Sequence, residues 1–208
     1  AVGLRVLLFV NYPPVSYSDT DSYRRSANAI LDGFKAYDGT RTPGYPAFMA
    51  LFGPDRGVYA AQLFLGLGIT MAWFWIGWKT SGQPFFGGLA ALAHTLNPGQ
   101  FFFEANLLTE TLATFWLVLA LLDTCLWLKK PGRGNLWGAF FIGLSSSLAV
   151  FARPLFIFMP LLLAILMAFS LKKKQITFDW KPMVGVLLPA ILLIGSWMSW
   201  MKSNYHVF

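Results

Sequence analysis

The apolar residues of this chain fall in long unbroken runs, and this pattern constrains the fold more than any other feature. Residues 105–128 and 136–151 form two such runs, and neither follows the 3.6-residue stripe of a helix that covers a water-soluble core. Helices that are apolar on every side are buried in lipid or within a bundle. Only 12% of the 208 residues are charged, whereas a soluble domain has about 25%. The sequence therefore predicts an all-α, polytopic transmembrane helical bundle.

Seven apolar segments, separated by charged or turn-forming residues, predict about seven membrane crossings. The third segment is short and contains Gly87-Gly88, and Arg153-Pro154 divides a run that is too long for one span. The segments are residues 1–11, 57–78, 84–97, 105–128, 135–152, 154–171 and 182–201. The first is too short to span, since a crossing helix needs about 20 residues. We therefore expect the chain to be a fragment of a longer protein.

Basic residues gather in short clusters between the apolar segments, as they do in the cytoplasmic loops of membrane proteins. The net charge of +7 therefore indicates membrane topology and not nucleic-acid binding. The basic clusters contain Lys79, Lys129, Lys130, Arg133, Lys172, Lys173, Lys174 and Lys181. Seven of the nine acidic residues fall on or near the opposite, external side, which predicts an active face there. These seven are Asp19, Asp21, Asp32, Asp38, Asp55, Glu104 and Glu110.

The charge pattern divides a single transmembrane domain, residues 1–208, into three parts. An external loop covers residues 12–56, a helical bundle covers 57–201, and residues 202–208 begin the next external segment. We expect the protein in a bacterial inner (cytoplasmic) membrane with its active face outside.

The external loop at residues 12–56 has the pattern of two short interfacial helices. The first is predicted at residues 21–34, with Asp19 or Asp21 as its N-cap. Its apolar stripe would be Ala27, Ile30, Leu31 and Phe34. The turn residues Pro43-Gly44-Tyr45-Pro46 should then break the chain before a second short helix at residues 47–52.

The same loop carries residues suited to chemistry on a phosphorylated substrate. A carboxylate at Asp19 or Asp21 can act as a general base or supply oxygen ligands to a divalent cation. The guanidinium groups of Arg24 and Arg25 suit a phosphate, which they bind through two parallel hydrogen bonds. In the alternative interpretation the acids only cap the surface helix, and the two arginines extend to lipid headgroups.

Several short motifs, taken in order, resemble the GT-C glycosyltransferases. The similar group is that of the protein O-mannosyltransferases and aminoarabinose-transferase-like enzymes. The motifs are Asp19-Thr20-Asp21-Ser22-Tyr23, Leu31-Asp32-Gly33, Arg41-Thr42-Pro43-Gly44-Tyr45-Pro46, Asn97-Pro98, Glu104, Leu108-Thr109-Glu110-Thr111-Leu112, Arg153-Pro154, and the segment from Trp197 to Asn204 with Phe208. The resemblance covers nearly the whole chain and implies that it is the N-terminal half of such an enzyme.

The resemblance implies transfer of a sugar from a polyprenyl-phosphate donor to an acceptor on the external or periplasmic face, with inversion at the anomeric carbon. Asp19 and Asp21 are the catalytic candidates. Asp19 is also the candidate ligand of a divalent cation, Mg²⁺ or Mn²⁺. Substrate-binding candidates are Tyr23, Arg24, Arg41, Tyr45, Glu104, Glu110 and Arg153. The expected partners are the lipid-linked sugar, membrane lipids and a larger membrane complex.

Other interpretations stay open at the level of sequence. The chain could be a non-catalytic scaffold subunit of a larger membrane complex. Glu110 stands at the predicted start of a helix, where a carboxylate stabilises the helix dipole. Glu104 is expected in a loop. A secondary transporter is disfavoured, because its charged groups should lie near the middle of the membrane.

Overall fold

The computed structural model describes residues 1–129, 136–173 and 180–205. It is all-helical, with 83% of it in helices and no β-strand among the described residues. The helices are α1 (Val2–Asn11), α2 (Ser18–Leu31), α3 (Gly44–Phe52), α4 (Asp55–Ser81), α5 (Pro84–Thr95), α6 (Pro98–Ala105), α7 (Glu110–Lys129), α8 (Leu136–Ala152), α9 (Met159–Lys173) and α10 (Lys181–Tyr205). A short 3₁₀ turn at Pro154–Phe156 follows α8.

Three of the described helices, α4, α7 and α10, are long and apolar enough to cross a membrane. The prediction of an all-helical chain is therefore confirmed. Of the seven predicted crossings, the described residues contain three candidate spans. The predicted run at 105–128 is interrupted, because α6 ends at Ala105 and α7 begins at Glu110. Hydropathy does not detect this interruption, since the residues between the two helices include Leu107 and Leu108.

The centre of the bundle is built from α4, α7, α8 and α10, which pack side by side. Small residues bring α8 and α10 together, since a Cβ atom at Gly143 would lie 2.1 Å from the carbonyl oxygen of Val186. Such close approach is common between helices that associate in lipid. Large apolar side chains such as Phe64 and Ile191 point outward, as expected of a surface in contact with lipid.

Two short helices occupy the predicted external loop, and their positions correct the prediction in detail. Helix α2 begins at Ser18, so Asp19 and Asp21 lie in its first turn and Tyr17 is the N-cap residue. The buried face of α2 includes Tyr23 and Ala27, whereas Leu31 is 68% exposed. The predicted stripe was therefore wrong at its C-terminal end, because α2 turns a more polar face toward the bundle.

The second short helix, α3, begins at Gly44, so the predicted break at 43–46 is instead the start of this helix. Proline is tolerated there, since the first turn of a helix needs no internal hydrogen bond from its N–H groups.

The predicted orientation in the membrane stays a prediction. Several basic residues on which it depends, Lys130, Arg133 and Lys174, lie outside the described residues, as do Asp179 and Phe208. The start of α7 and the end of α8, both predicted to be near the external side, do lie together, as the ion pair of Glu110 and Arg153 shows.

We predict that Gly143→Ala lowers the thermal unfolding temperature of the detergent-solubilised protein, because the added methyl group meets the backbone of α10 at Val186. Forcing extra volume into such a contact costs about 1–3 kcal/mol. Gly195→Ala is the matched control, since no atom lies within 4 Å of its added Cβ. Unfolding temperatures that fall equally for both variants would show that α8 and α10 do not approach at Gly143.

Candidate functional site

The non-helical residues 106–109, between α6 and α7, form the base of the site. The amide of Val15 donates to the carbonyl of Ala105 at 3.0 Å, and the amide of Leu107 donates to the carbonyl of Val15 at 3.0 Å. The hydroxyl of Thr20 donates to the carbonyl of Leu107 at 3.1 Å and accepts from the amide of Tyr17 at 2.8 Å. Thr20 is fully buried. These bonds attach the first turn of α2 to the bundle and leave the acids on either side of Thr20 facing outward.

Asp19 is paired with an arginine from the far end of the external loop. Arg41 Nη2 lies 2.6 Å from Asp19 Oδ1, and the side chain of Asp19 remains 56% exposed. Arg41 Nε also donates to the hydroxyl of Ser22 at 2.9 Å. The guanidinium carbon of Arg41 stands 4.7 Å from the centre of the Tyr23 ring. Arg41 thus holds Asp19 and covers Tyr23 at the same time.

Asp21 belongs to a different group of charges. Arg24 Nη1 contacts Asp21 at 2.6 Å, while its Nε and Nη2 contact the two carboxylate oxygens of Asp55 at 3.1 and 2.5 Å. Hydrogen bonding to Asp55 raises the pKa of Arg24. This network joins α2 to the start of α4. Asp21 is thus connected to α4 through Arg24 and Asp55, whereas Asp19 does not belong to this network.

Glu110 and Arg153 form the second half of the site. Glu110 is the first residue of α7, and Arg153 follows the last residue of α8. Arg153 Nη1 lies 2.9 Å from Glu110 Oε1, with the Arg153 side chain 40% exposed. An unpaired arginine at the junction between two apolar helices would be costly, so it needs an anionic partner. Glu110 is that partner, and the predicted start of a helix at Glu110 is confirmed.

Tyr23 lies between the two ion pairs. Its ring is nearly buried and packs edge-on against the ring of Tyr45, with centroids 5.1 Å apart. Burial raises the pKa of Tyr23, the charge of Arg41 opposes this, and the charges of Asp19 and Glu110 add to it. The phenol is therefore neutral near pH 7 and available as a hydrogen-bond donor. Arg41 Nη1 lies 3.5 Å from the Tyr23 hydroxyl, and the Tyr23 ring packs in one buried cluster with residues at the start of α7 and the end of α8, so both ion pairs adjoin this side chain.

Two predicted substrate contacts lie inside the protein. Glu104 is fully buried in α6 and not in a loop, and its oxygens lie 2.8 and 2.5 Å from Arg5 Nε and Nη2. A Cβ atom at Gly66 would come within 1.9 Å of Glu104 Oε1, so only glycine leaves room for this carboxylate. Tyr45 is also fully buried, and its hydroxyl donates to Gln62 at 2.7 Å. In this structure neither side chain faces the exposed part of the site.

The candidate cation site has a poor set of ligands. No group of three His, Cys, Asp or Glu side chains that could hold a metal occurs in the described parts of the chain. Asp19 offers one carboxylate, and Arg41 already contacts it. Magnesium is usually held by several oxygen ligands in octahedral geometry. The residues around Asp19 do not fit such an ion, so Mg²⁺ or Mn²⁺ at Asp19 stays a prediction without a role in the chemistry below.

The sequence-based predictions did not include four residues that hold the site together or contact it: Arg5, Thr20, Gln62 and Thr109. Arg5 had a visible signal, since it is the one charged residue in the apolar segment 1–11. Thr20 stands between the two candidate acids. The other two have no feature in the sequence that distinguishes them from ordinary polar residues of a helix or loop.

No family model, curated protein or solved structure matches this chain. The resemblance to the GT-C glycosyltransferases therefore stays a prediction from the sequence motifs.

We predict that the Arg5–Glu104 pair is a major support of the fold. Removing one partner of a buried pair costs about 3–5 kcal/mol, because the other charge is left alone. Glu104→Gln and Arg5→Met should each lower the unfolding temperature strongly, and the double variant should lose less than the sum of the two. Asp32→Asn, at an exposed position, is the control. Additive losses would mean that the two side chains do not interact.

Proposed function

We propose that this chain belongs to a membrane glycosyltransferase that moves a sugar from a polyprenyl-phosphate donor to an acceptor hydroxyl or amine. The observation that supports this most is that two ion pairs adjoin the buried side chain of Tyr23: Asp19–Arg41 through a contact of Arg41, and Glu110–Arg153 through the packed ends of α7 and α8. These side chains come from separate parts of the chain and meet at one end of a helical bundle. The site therefore offers an exposed carboxylate and two arginines beside the expected lipid surface.

Asp19 is the proposed general base. In the transfer step the acceptor oxygen or nitrogen forms a bond to the anomeric carbon, and the bond from that carbon to the phosphate oxygen breaks. The electron pair leaves with the lipid phosphate, and the acceptor proton passes to the carboxylate of Asp19. Asp19 suits this role better than Asp21, because Arg41 links Asp19 to Tyr23, whereas Asp21 shares Arg24 with Asp55.

Arg153 is the proposed partner of the leaving phosphate. Positive side chains that face a developing negative charge stabilise the transition state. Among the described residues, the hydrogen bonds of the Arg153 side chain use Nη1 alone, which leaves the rest of the guanidinium for a phosphate. Arg41 is the second candidate, because its donors already contact Asp19, Ser22 and Tyr23.

Asp19→Asn is expected to abolish sugar transfer while leaving the fold intact, because Asn keeps the shape but cannot accept the proton. Asp21→Asn should have the next largest effect. The assay is transfer from a panel of polyprenyl-phosphate sugars by the purified protein, with Asp32→Asn on the C-terminal side of α2 as the control. Full activity in both single variants and in the double variant would assign the two carboxylates to the fold.

Arg153→Lys and Arg153→Ala are expected to weaken the binding of polyprenyl phosphate more than they weaken folding. Lysine keeps the charge but loses the planar fork of donors. A charge-assisted hydrogen bond contributes about 1.5–3 kcal/mol, so alanine should reduce affinity at least tenfold. Lys35→Ala, which removes an exposed cation beyond the end of α2, is the control. Unchanged affinity in both Arg153 variants would make Arg153 a structural charge.

A further inference from the structure

Helix α4 carries a buried polar stripe along a candidate membrane span. The members of the stripe recur three or four positions apart, so they share one face of the helix. They are Tyr59, Gln62, Gly66 and Thr70, and all four are buried. From Tyr59 to Thr70 the stripe rises by about 16 Å along the helix axis. It therefore extends from near the end of α4 that begins at Asp55 toward the middle of the helix.

Three neighbouring helices place ionisable side chains against this stripe. The carboxylate of Glu104, from α6, packs on Gly66, and Arg5 of α1 pairs with that carboxylate. One turn further along α4, the ring of His94 from α5 contacts the hydroxyl of Thr70, with Nδ1 and Oγ1 2.9 Å apart. Ionisable groups within membrane helices are rare, and they pair with one another or face a hydrated cavity. The stripe and its neighbours thus form a polar interior in a largely apolar bundle.

Three buried polar atoms along the stripe have no hydrogen-bond partner among the described residues: Arg5 Nη1, the hydroxyl of Tyr59 and His94 Nε2. The exposed fractions of Arg5 and Tyr59 are 2% and 0%. Gln100 does not satisfy His94, because its amide donates to Glu104 Oε1 at 2.9 Å and does not reach Nε2 with the geometry of a hydrogen bond. A buried polar group without a partner is costly, so three of them along one stripe indicate a bound molecule.

The direction of each hydrogen bond identifies this molecule. The hydroxyl of Thr70 donates its one proton to the carbonyl of Gly66 at 2.9 Å, so it accepts from His94 Nδ1. Nε2 of the neutral His94 ring is then an acceptor, whereas Arg5 Nη1 can only donate. An anion would accept from Arg5 but could not donate to His94, and a metal cation would be repelled by Arg5. Water both donates and accepts, so it suits all three atoms.

We propose that water molecules bind along the buried stripe of α4 and satisfy Arg5, Tyr59 and His94. Buried waters in proteins typically make about three hydrogen bonds to polar groups that otherwise lack a partner. Water here accepts from Arg5 Nη1, donates to His94 Nε2 and bonds to the hydroxyl of Tyr59. The bound water also hydrates the Arg5–Glu104 pair, which stabilises two charges inside the bundle. The proposal goes beyond the transferase function and does not depend on it.

Radiolytic footprinting of the purified protein in lipid nanodiscs tests the proposal. X-rays split water into hydroxyl radicals, which oxidise the side chains next to the water from which they form. We expect mass spectrometry to find oxidised Tyr59 and His94, although their polar atoms are buried. Tyr45 is the matched control, because it is as fully buried as Tyr59 but its hydroxyl already donates to Gln62. Met167, a reactive and fully buried side chain of α9, should also stay unmodified.

The pattern of oxidation decides between bound water and the alternatives. Oxidised Tyr59 and His94, together with unmodified Tyr45 and Met167, would support the proposal. If either Tyr59 or His94 stays unmodified, the stripe is dry at that side chain and the proposal is wrong. Equal oxidation of all four side chains would mean that the bundle opens to bulk water, which also overturns the assignment of a binding site.

Tyr59→Phe gives a second measurement, and the sign of its effect depends on the water. Removing a hydroxyl that bonds to bound water loses a hydrogen bond, so the unfolding temperature should fall. Removing a buried hydroxyl that has no partner would instead raise it. Tyr45→Phe is the control, since it loses the bond to Gln62 and should unfold at a lower temperature in either case.

An unfolding temperature of Tyr59→Phe equal to or above that of the unaltered protein would contradict the proposal. Neither measurement uses sugar transfer, so a failure of the water site leaves the proposed transferase function untouched, and the reverse also holds.

Discussion

The buried pairing of Arg5 with Glu104 is the interaction on which the rest of the site depends. Both side chains are almost completely enclosed, and an unpaired charge in that position would be costly. The pair attaches α1 to α6, and Gln100 adds a third hydrogen bond to the same carboxylate. Because Glu104 is fixed, the chain leaves α6 in a defined direction, and that direction sets the position of residues 106–109.

Several distant parts of the chain form hydrogen bonds to the backbone of residues 104–107. Gln62 of α4 donates to the carbonyls of Glu104 and Asn106 at 2.9 and 2.8 Å, while it accepts from Tyr45 of α3. Thr20 of α2 donates to the next carbonyl, that of Leu107. Of the two short helices of the external loop, α2 is thus bonded to this backbone directly through Thr20, and α3 is bonded to it through the side chain of Gln62. The exposed carboxylate of Asp19 is positioned by groups that never contact solvent.

Much of the secondary structure could be predicted from local pattern, and the departures have identifiable causes. The two short helices of the external loop and the helix start at Glu110 were both predicted from the sequence. The cap of α2 was wrong, because Thr20 and not an aspartate bonds to the backbone at Tyr17. The interruption at 106–109 was missed, because its residues are mostly apolar and its polar backbone groups find partners only after the chain has folded.

The sequence by itself determined that the chain is all-helical and that its long helices are apolar enough to cross a membrane, because long apolar runs are local features that need no knowledge of neighbours. It also determined which residues carry the acidic and basic groups. Only the tertiary structure decided how these groups pair. Arg41 reaches Asp19 across 22 residues, Arg153 reaches Glu110 across 43, and Arg5 reaches Glu104 across 99. Contacts at such separations depend on how helices pack, and helix packing brings together residues that no local pattern relates.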